Sequence, residues 1–144
     1  MPKPITPLLT VDCVAFDNCS GVLLIKRKHT PFKGMHALPG GFVDIGETVE
    51  AACRREMEEE TGVIIDKLFL IGVFSEPGRD PRGHTVSVTY ATVLGKVTPI
   101  AGDDASAAGW QSDWRNIELV FDHTKILRYA YKFMRRRRLI LPLN

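Results

Sequence analysis

Residues 41–63 read GFVDIGETVEAACRREMEEETGV, with four glutamates in the five positions before Thr61. The flanking residues predict a helix over 48–60, because Thr48 suits a helix N-terminus and Gly62 suits the position where a helix ends. A Pro-Gly-Gly turn comes shortly before this helix. The segment is therefore predicted to be a loop followed by an unusually acidic helix.

The acidic helix carries three of its glutamates on one face. At about 100° per residue, Glu56, Glu59 and Glu60 fall within one arc, whereas Glu58 points to nearly the opposite side. Three carboxylates at a partly buried edge repel one another, and a divalent cation such as Mg²⁺, which prefers oxygen ligands, removes the conflict. Two interpretations remain open at this level, a solvated acidic face and a metal site.

The surroundings of the glutamates favour a site. The turn at 38–41 lets backbone groups approach a ligand closely, which makes Leu38 and Gly40 candidate substrate contacts. Glu47 lies upstream of the helix and Arg55 lies beside the three glutamates, so a carboxylate–guanidinium brace is expected to orient them.

Length and composition describe an ordinary globular chain. Its 144 residues suit a single domain over 1–144, and 44% of them are hydrophobic. No apolar run is long enough for a membrane span, and a net charge of +2 does not by itself indicate nucleic acid. Cys13, Cys19 and Cys53 fit neither a disulfide framework nor a zinc spacing, which predicts a reducing, cytoplasmic setting.

The order of the predicted elements indicates an α/β fold. Apolar or alternating runs predict strands, and a helical period of apolar residues predicts a second helix near the end. The predicted strands cover 8–16, 21–27, 66–75 and 84–95, with short ones near Ala37 and Trp110, and the second helix covers 123–138. Two helices are too few to cover a parallel sheet by repeated crossovers, so we expect a mixed β-sheet between helices.

The acidic segment resembles the signature of the Nudix hydrolases, written GX5EX7REUXEEXGU with U aliphatic. Every specified position is filled, by Gly41, Glu47, Arg55, Glu56, Met57, Glu59, Glu60, Gly62 and Val63. The resemblance implies the α/β/α sandwich of that family and hydrolysis of a diphosphate linked to a nucleoside.

The same resemblance implies roles for individual residues. Glu56, Glu59 and Glu60, with the carbonyl of Gly41, would ligate Mg²⁺, with Mn²⁺ as an alternative. Glu47 and Arg55 would form the brace. The cation neutralises the diphosphate and activates the attacking water, and a base must take a proton.

Accessory segments point to a substrate. PFKGMHALPGGFVD, RDPRGHTVSV and FDHTKIL are similar to those of the small ADP-ribose pyrophosphatases of bacteria and archaea, which implies ADP-ribose going to AMP and ribose 5-phosphate. Arg27, Arg79 and Arg82 are candidate contacts to substrate oxygens. The alternative is a surface Lys-Arg-Lys run for Arg27 and a solvated turn with an Arg–Asp pair for the other two. Asp104, in a loop after a long predicted strand, is the favoured candidate for the base.

Other functions are kept as alternatives. They are a nucleoside triphosphate pyrophosphohydrolase that clears the nucleotide pool, an RNA-end hydrolase, and a non-catalytic sensor of ADP-ribose. The basic run 135–138 suits a helix C-terminus, whose dipole favours cations, better than it suits nucleic acid. A small-molecule nucleotide is the expected partner, without a membrane, and homodimers are common in the family.

Overall fold

The computed structural model describes residues 1–95, 97–102 and 105–143. Within these ranges, seven strands and two α-helices are present, with a short 3₁₀ turn between the last strand and the last helix. The strands are β1 (Leu8–Phe16), β2 (Val22–Arg27), β3 (His36–Ala37), β4 (Gly40–Phe42), β5 (Phe69–Phe74), β6 (Thr85–Val93) and β7 (Ala105–Gln111). The helices are α1 (Val49–Thr61) and α2 (His123–Arg136), and the 3₁₀ turn covers Trp114–Asn116.

The strands form one mixed sheet. Its main path runs β3-β2-β1-β6-β5, while β4 pairs with β1 and β7 pairs with β2. The β1–β6 pair is parallel over nine residues, and the other pairs are antiparallel. The prediction of a mixed sheet is confirmed.

Strand β1 is covered by a helix on both faces because its side chains alternate between them. Val14 and Phe16 are fully buried in the cluster that contains the apolar face of α2. Val11, Cys13 and Ala15 are buried in a second cluster, together with Ala52, Cys53 and Met57 of α1. The sheet therefore lies between the two helices, and the predicted α/β/α sandwich is confirmed.

Helix α1 begins and ends where its capping residues predict. The hydroxyl of Thr48 accepts a hydrogen bond from Ala51 N at 3.1 Å, which satisfies a backbone donor of the first turn. Gly62 adopts a left-handed conformation (φ 71°), and its N–H donates to Glu58 O at 2.9 Å. Both caps were predicted, and the helix is shifted by one residue from the predicted range.

Other boundaries differ modestly from the predictions. The segment 31–41, predicted to hold one short strand, leads into two, β3 and β4, which pair with different neighbours, β2 and β1. Strand β5 begins at Phe69, three residues later than predicted. No helix in the described ranges is both long enough and apolar enough to cross a membrane.

The end of α1 is packed tightly by the loop that follows β6. Ile100 N donates to Thr61 O at 2.7 Å, and Gly102 N donates to Glu60 O at 3.2 Å. A Cβ atom at Gly102 would overlap the backbone carbonyl oxygen of Glu59. Backbone cannot yield as a flexible side chain does, so this contact requires glycine.

We expect Gly102→Ala to lower the free energy of unfolding by about 1–3 kcal/mol, the usual cost of forcing atoms into a filled site. Gly78→Ala is the matched control, because a methyl group there meets open space. Denaturant unfolding of both variants tests the contact. Equal stability of the two variants would contradict it.

Candidate active site

Arg55 is the centre of a charged network on α1. Its Nε and Nη2 each donate to one carboxylate oxygen of Glu47, both at 2.8 Å. Nη1 donates to Glu56 Oε1 at 2.8 Å and to Glu59 Oε2 at 3.2 Å. Nη2 also donates to Phe42 O at 3.0 Å, so one guanidinium joins the preceding loop to the acidic face of the helix.

The network shifts the proton affinities of its strongest pair. Hydrogen bonds from Arg55 and from the backbone of Asp44 lower the pKa of Glu47 to about 2. The hydrogen bonds that Arg55 donates to Glu47, with a further contribution from Glu56, raise the pKa of Arg55 above its ordinary value. Both groups are therefore charged throughout the physiological pH range.

The glycines of the 38–41 turn lie directly against the glutamates. Gly40 N donates to Glu60 Oε1 at 2.8 Å, and Glu60 is buried. A Cβ atom at Gly41 would lie 2.5 Å from Glu56 Oε1. Gly40 thus orients the carboxylate of Glu60, and Gly41 leaves room for that of Glu56 because it has no side chain.

The donors around Gly41 fit a hard divalent cation. They are carboxylate oxygens and a backbone carbonyl, the ligand types that Mg²⁺ prefers. Within residues 1–95, 97–102 and 105–143, however, no three His, Cys, Asp or Glu side chains are grouped closely enough to hold a metal ion by themselves. In this arrangement Arg55 donates hydrogen bonds to oxygens of Glu56 and Glu59. The predicted set of metal ligands therefore stays a prediction.

The predicted substrate-binding residues share one cleft of about 480 Å³ with two of the glutamates. Predicted site residues that line it are Arg27, Leu38, Gly40, Gly41, Glu56, Glu60, Arg79 and Arg82. Glu47, Arg55 and Glu59 are not part of the described lining. Asp104, the predicted base, lies outside the described residues.

A buried polar group that the sequence analysis did not single out lies at the bottom of this cleft. Asp12 is 6% exposed and accepts a hydrogen bond from Ser87 Oγ at 2.5 Å. His123 Nε2 lies 3.4 Å from Asp12 Oδ1, and His123 Nδ1 accepts from Leu38 N at 3.0 Å. Since Nδ1 accepts, it carries no proton, and Nε2–H is the donor towards Asp12.

Asp12 stays ionised although it is buried. Burial alone would raise its pKa, but His123, the Ser87 hydroxyl and the nearby Arg79 charge outweigh that effect and lower the pKa. A carboxylate within the apolar run LLTVDCVAF was the available signal for this group. Charged residues are almost never fully buried unless they are paired.

Arg79 is engaged by the protein itself. Its Nε and Nη2 donate to the two carboxylate oxygens of Asp122 at 2.9 and 2.8 Å, and Nη1 donates to Thr85 Oγ1 at 3.0 Å. The Arg79 side chain is 5% exposed. It therefore links the loop between β5 and β6 to the start of α2.

Arg82 is more accessible than Arg79. Its side chain is 47% exposed, and its Nε and Nη2 donate to the carboxylate of Asp80 at 3.1 and 2.8 Å. This is the Arg–Asp pairing that the sequence analysis kept as the alternative for the loop. Burial opposes ionisation of Asp80, but the hydrogen bonds and charge of Arg82 outweigh it and lower the pKa of Asp80.

Comparison with known proteins decides the family. The sequence profile of the NUDIX domain matches residues 6–136. The chain belongs to the Nudix hydrolase family. The resemblance and the hydrolase class predicted from the acidic segment are both confirmed.

Individual Nudix relatives cover most of the chain. It is 49% identical over 124 residues to an ADP-ribose pyrophosphatase of Methanocaldococcus jannaschii, across 85% of this chain and 72% of that protein. It is 33% identical to the ADPR responsive transcriptional repressor NtrR of Acinetobacter baylyi, over 88% of this chain but only 54% of the repressor. Among solved structures, the NUDIX domain of Shewanella oneidensis NrtR in complex with ADP ribose superposes with a TM-score of 0.84 at 30% identity, covering 90% of each chain.

The Nudix brace predicts a specific dependence of stability on pH. Because the pKa of Glu47 is lowered to about 2 in the folded chain, its contribution is present above its ordinary value of 4.5 and is lost as the pH falls towards 2. Glu47→Gln should therefore lower Tm at neutral pH, and the gap to wild type should narrow between pH 4.5 and 2. Glu58→Gln, an exposed glutamate outside the brace, is the control. A constant gap across this range would contradict the ion pair.

The two arginines of the β5–β6 loop should respond differently to truncation. Arg79→Ala leaves Asp122 without its buried partner and should cost about 3–5 kcal/mol of unfolding free energy. Arg82→Ala should cost less stability, because its side chain is half exposed, and should act mainly on substrate affinity. Denaturant unfolding and steady-state kinetics on both variants separate the effects. Wild-type stability of Arg79→Ala would contradict its structural assignment.

Proposed function

We propose that this Nudix hydrolase cleaves ADP-ribose and water to AMP and ribose 5-phosphate, with a divalent cation as cofactor. The observation that carries the proposal is the cleft, in which Glu56 and Glu60 occur together with Arg27 and Arg82. Such a cleft has acidic groups for a cation and guanidinium groups for phosphate oxygens. The 49% identity to an ADP-ribose pyrophosphatase supports ADP-ribose as the substrate.

The proposed chemistry divides the work among the residues of the cleft. Arg27 and Arg82 bind oxygens of the substrate. Glu56, Glu59 and Glu60, with the Gly41 carbonyl, would hold Mg²⁺ or Mn²⁺. The bound cation would supply charge neutralisation of the diphosphate and activation of water.

The chain's own contribution around the cation is orientation. Gly40 N–H holds the carboxylate of Glu60, and Arg55 holds those of Glu56 and Glu59. Because these groups are already oriented, they need not be ordered during the reaction, and this lowers the activation free energy. Asp104, which lies outside the described residues, remains our proposed general base.

A sensor that binds ADP-ribose without turnover is the second candidate. It is favoured by the similarity to a repressor described as responsive to ADPR, of which the chain spans about half. The complete set of glutamates favours catalysis instead. Three cysteines without disulfides, two of them buried, agree with a cytoplasmic location, and a homodimer stays a prediction.

Glu60→Gln tests the proposed function. Glutamine keeps an acceptor for Gly40 N–H but loses the charge, so we expect a native fold and a kcat lower by roughly 100-fold or more, beyond the 10–100-fold typical for outer partners of metal ligands. Calorimetric titration with Mn²⁺ should show weaker binding. Glu58→Gln, on the other side of the helix, should keep wild-type activity.

The product analysis separates the candidates. Wild type with Mg²⁺ should release AMP and ribose 5-phosphate from ADP-ribose. Tight binding of ADP-ribose without products would support the sensor. Full activity of folded Glu60→Gln would contradict its assignment as a metal ligand.

A further inference from the structure

Phe121 is an aromatic residue of the cleft with an unusual backbone conformation. It lies just before α2 with φ 54°, in the left-handed region that bulky residues seldom adopt. Its ring lines the cleft that also holds Arg27 and Arg82. Such conformations persist where the surrounding contacts enforce them, and they cluster at functional sites.

The residues around Phe121 are anchored on both sides. Val120 N donates to His36 O at 3.0 Å, which joins the segment to the edge strand β3. On the other side, Asp122 is held by Arg79, and His123 accepts from Leu38 N. The backbone on both sides of residue 121 is therefore held by contacts to three separate segments.

Both accessible guanidinium groups of the cleft lie against this ring. The Cζ atom of Arg27 lies 5.3 Å from the ring centroid of Phe121, and that of Arg82 lies 5.2 Å from it. These distances are within the range of cation–π attraction. Phe32 packs edge-on against the same ring, with centroids 5.5 Å apart and planes at 84°.

Each arginine is also held at its Nε atom by the protein. Arg27 Nε donates to Pro31 O at 2.8 Å, and Arg82 Nε donates to Asp80 Oδ1 at 3.1 Å. The two groups come from different elements, β2 and the loop between β5 and β6. Both nevertheless lie against the ring of Phe121.

We propose that Phe121 is a positioning residue that holds Arg27 and Arg82 as a pair for the phosphate groups of the substrate. The proposal rests on the proposed function, because it assumes that a diphosphate-containing substrate occupies the cleft. Long side chains lose conformational freedom when they bind a ligand, and holding them beforehand removes part of that cost. The ring does not touch reacting atoms, so its effect belongs to affinity and not to the chemical step.

The test is the kinetics of Phe121→Leu on ADP-ribose. Leucine keeps an apolar side chain but removes the π-system, so we expect KM to rise about tenfold, with kcat changed less than about threefold. Replacement of Phe121 by pentafluorophenylalanine keeps the ring shape and reverses its quadrupole, and it should raise KM similarly. This second variant keeps the test valid if leucine impairs folding.

Phe133→Leu is the matched control. Phe133 also has an arginine against its ring, with Arg137 Cζ 3.5 Å from the ring centroid. It belongs to α2, packs against the hydrophobic core and is not part of the described cleft lining. We expect its KM to stay at the wild-type value. Thermal unfolding of every variant shows whether it is folded.

A double-mutant cycle tests whether Phe121 acts through the arginines. In an Arg82→Ala background, Phe121→Leu should raise KM clearly less than in wild type, because one of its two partners is gone. Unchanged KM in folded Phe121→Leu and in the fluorinated variant, or full additivity with Arg82→Ala, would overturn the proposal while leaving ADP-ribose hydrolysis intact. Wild type that neither binds nor hydrolyses ADP-ribose would contradict the proposed function, and the positioning role with it.

Discussion

Arg55 has five N–H donors in a fixed planar arrangement, and its guanidinium reaches Glu47, Glu56, Glu59 and the Phe42 carbonyl. Without it, carboxylates on one helix face would repel one another, and the loop before the helix would lose the hydrogen bonds that join Phe42 and Glu47 to α1. The guanidinium of Arg55 offsets part of the negative charge on the face that α1 presents to the cleft. A lysine could not replace it, because a single ammonium group cannot bind Glu47 through two parallel hydrogen bonds and also reach the others.

Local sequence patterns predicted most of the helices and strands of the fold. Thr48 and Gly62 bounded α1 because caps act through hydrogen bonds within a few residues. Alternation in β1 predicted a strand, although only the structure shows which residues face which helix, since that depends on distant partners. The spacing of the acidic segment likewise predicted that Arg55 lies beside the glutamates of its own helix face, because residues four apart on a helix are in contact.

The rest of the site depends on pairings between distant residues. Arg79 was predicted to contact the substrate, and its two hydrogen bonds to Asp122, 43 positions later, could not be predicted from its loop. Asp12 and Ser87 meet because β1 and β6 are parallel neighbours, which no local pattern encodes. Phe121 could not be assigned either, since its two arginine contacts come from other elements.

The ion pair between the buried Arg79 and the partly exposed Asp122 has a consequence for the exchange of loops between related enzymes. A donor loop grafted between β5 and β6 without a matching arginine would leave Asp122 with an uncompensated charge at the start of α2. The loop and the first turn of α2 therefore have to change together, although nearly 40 residues separate them in the chain. Changes of specificity in this scaffold should arise by paired replacement of both segments.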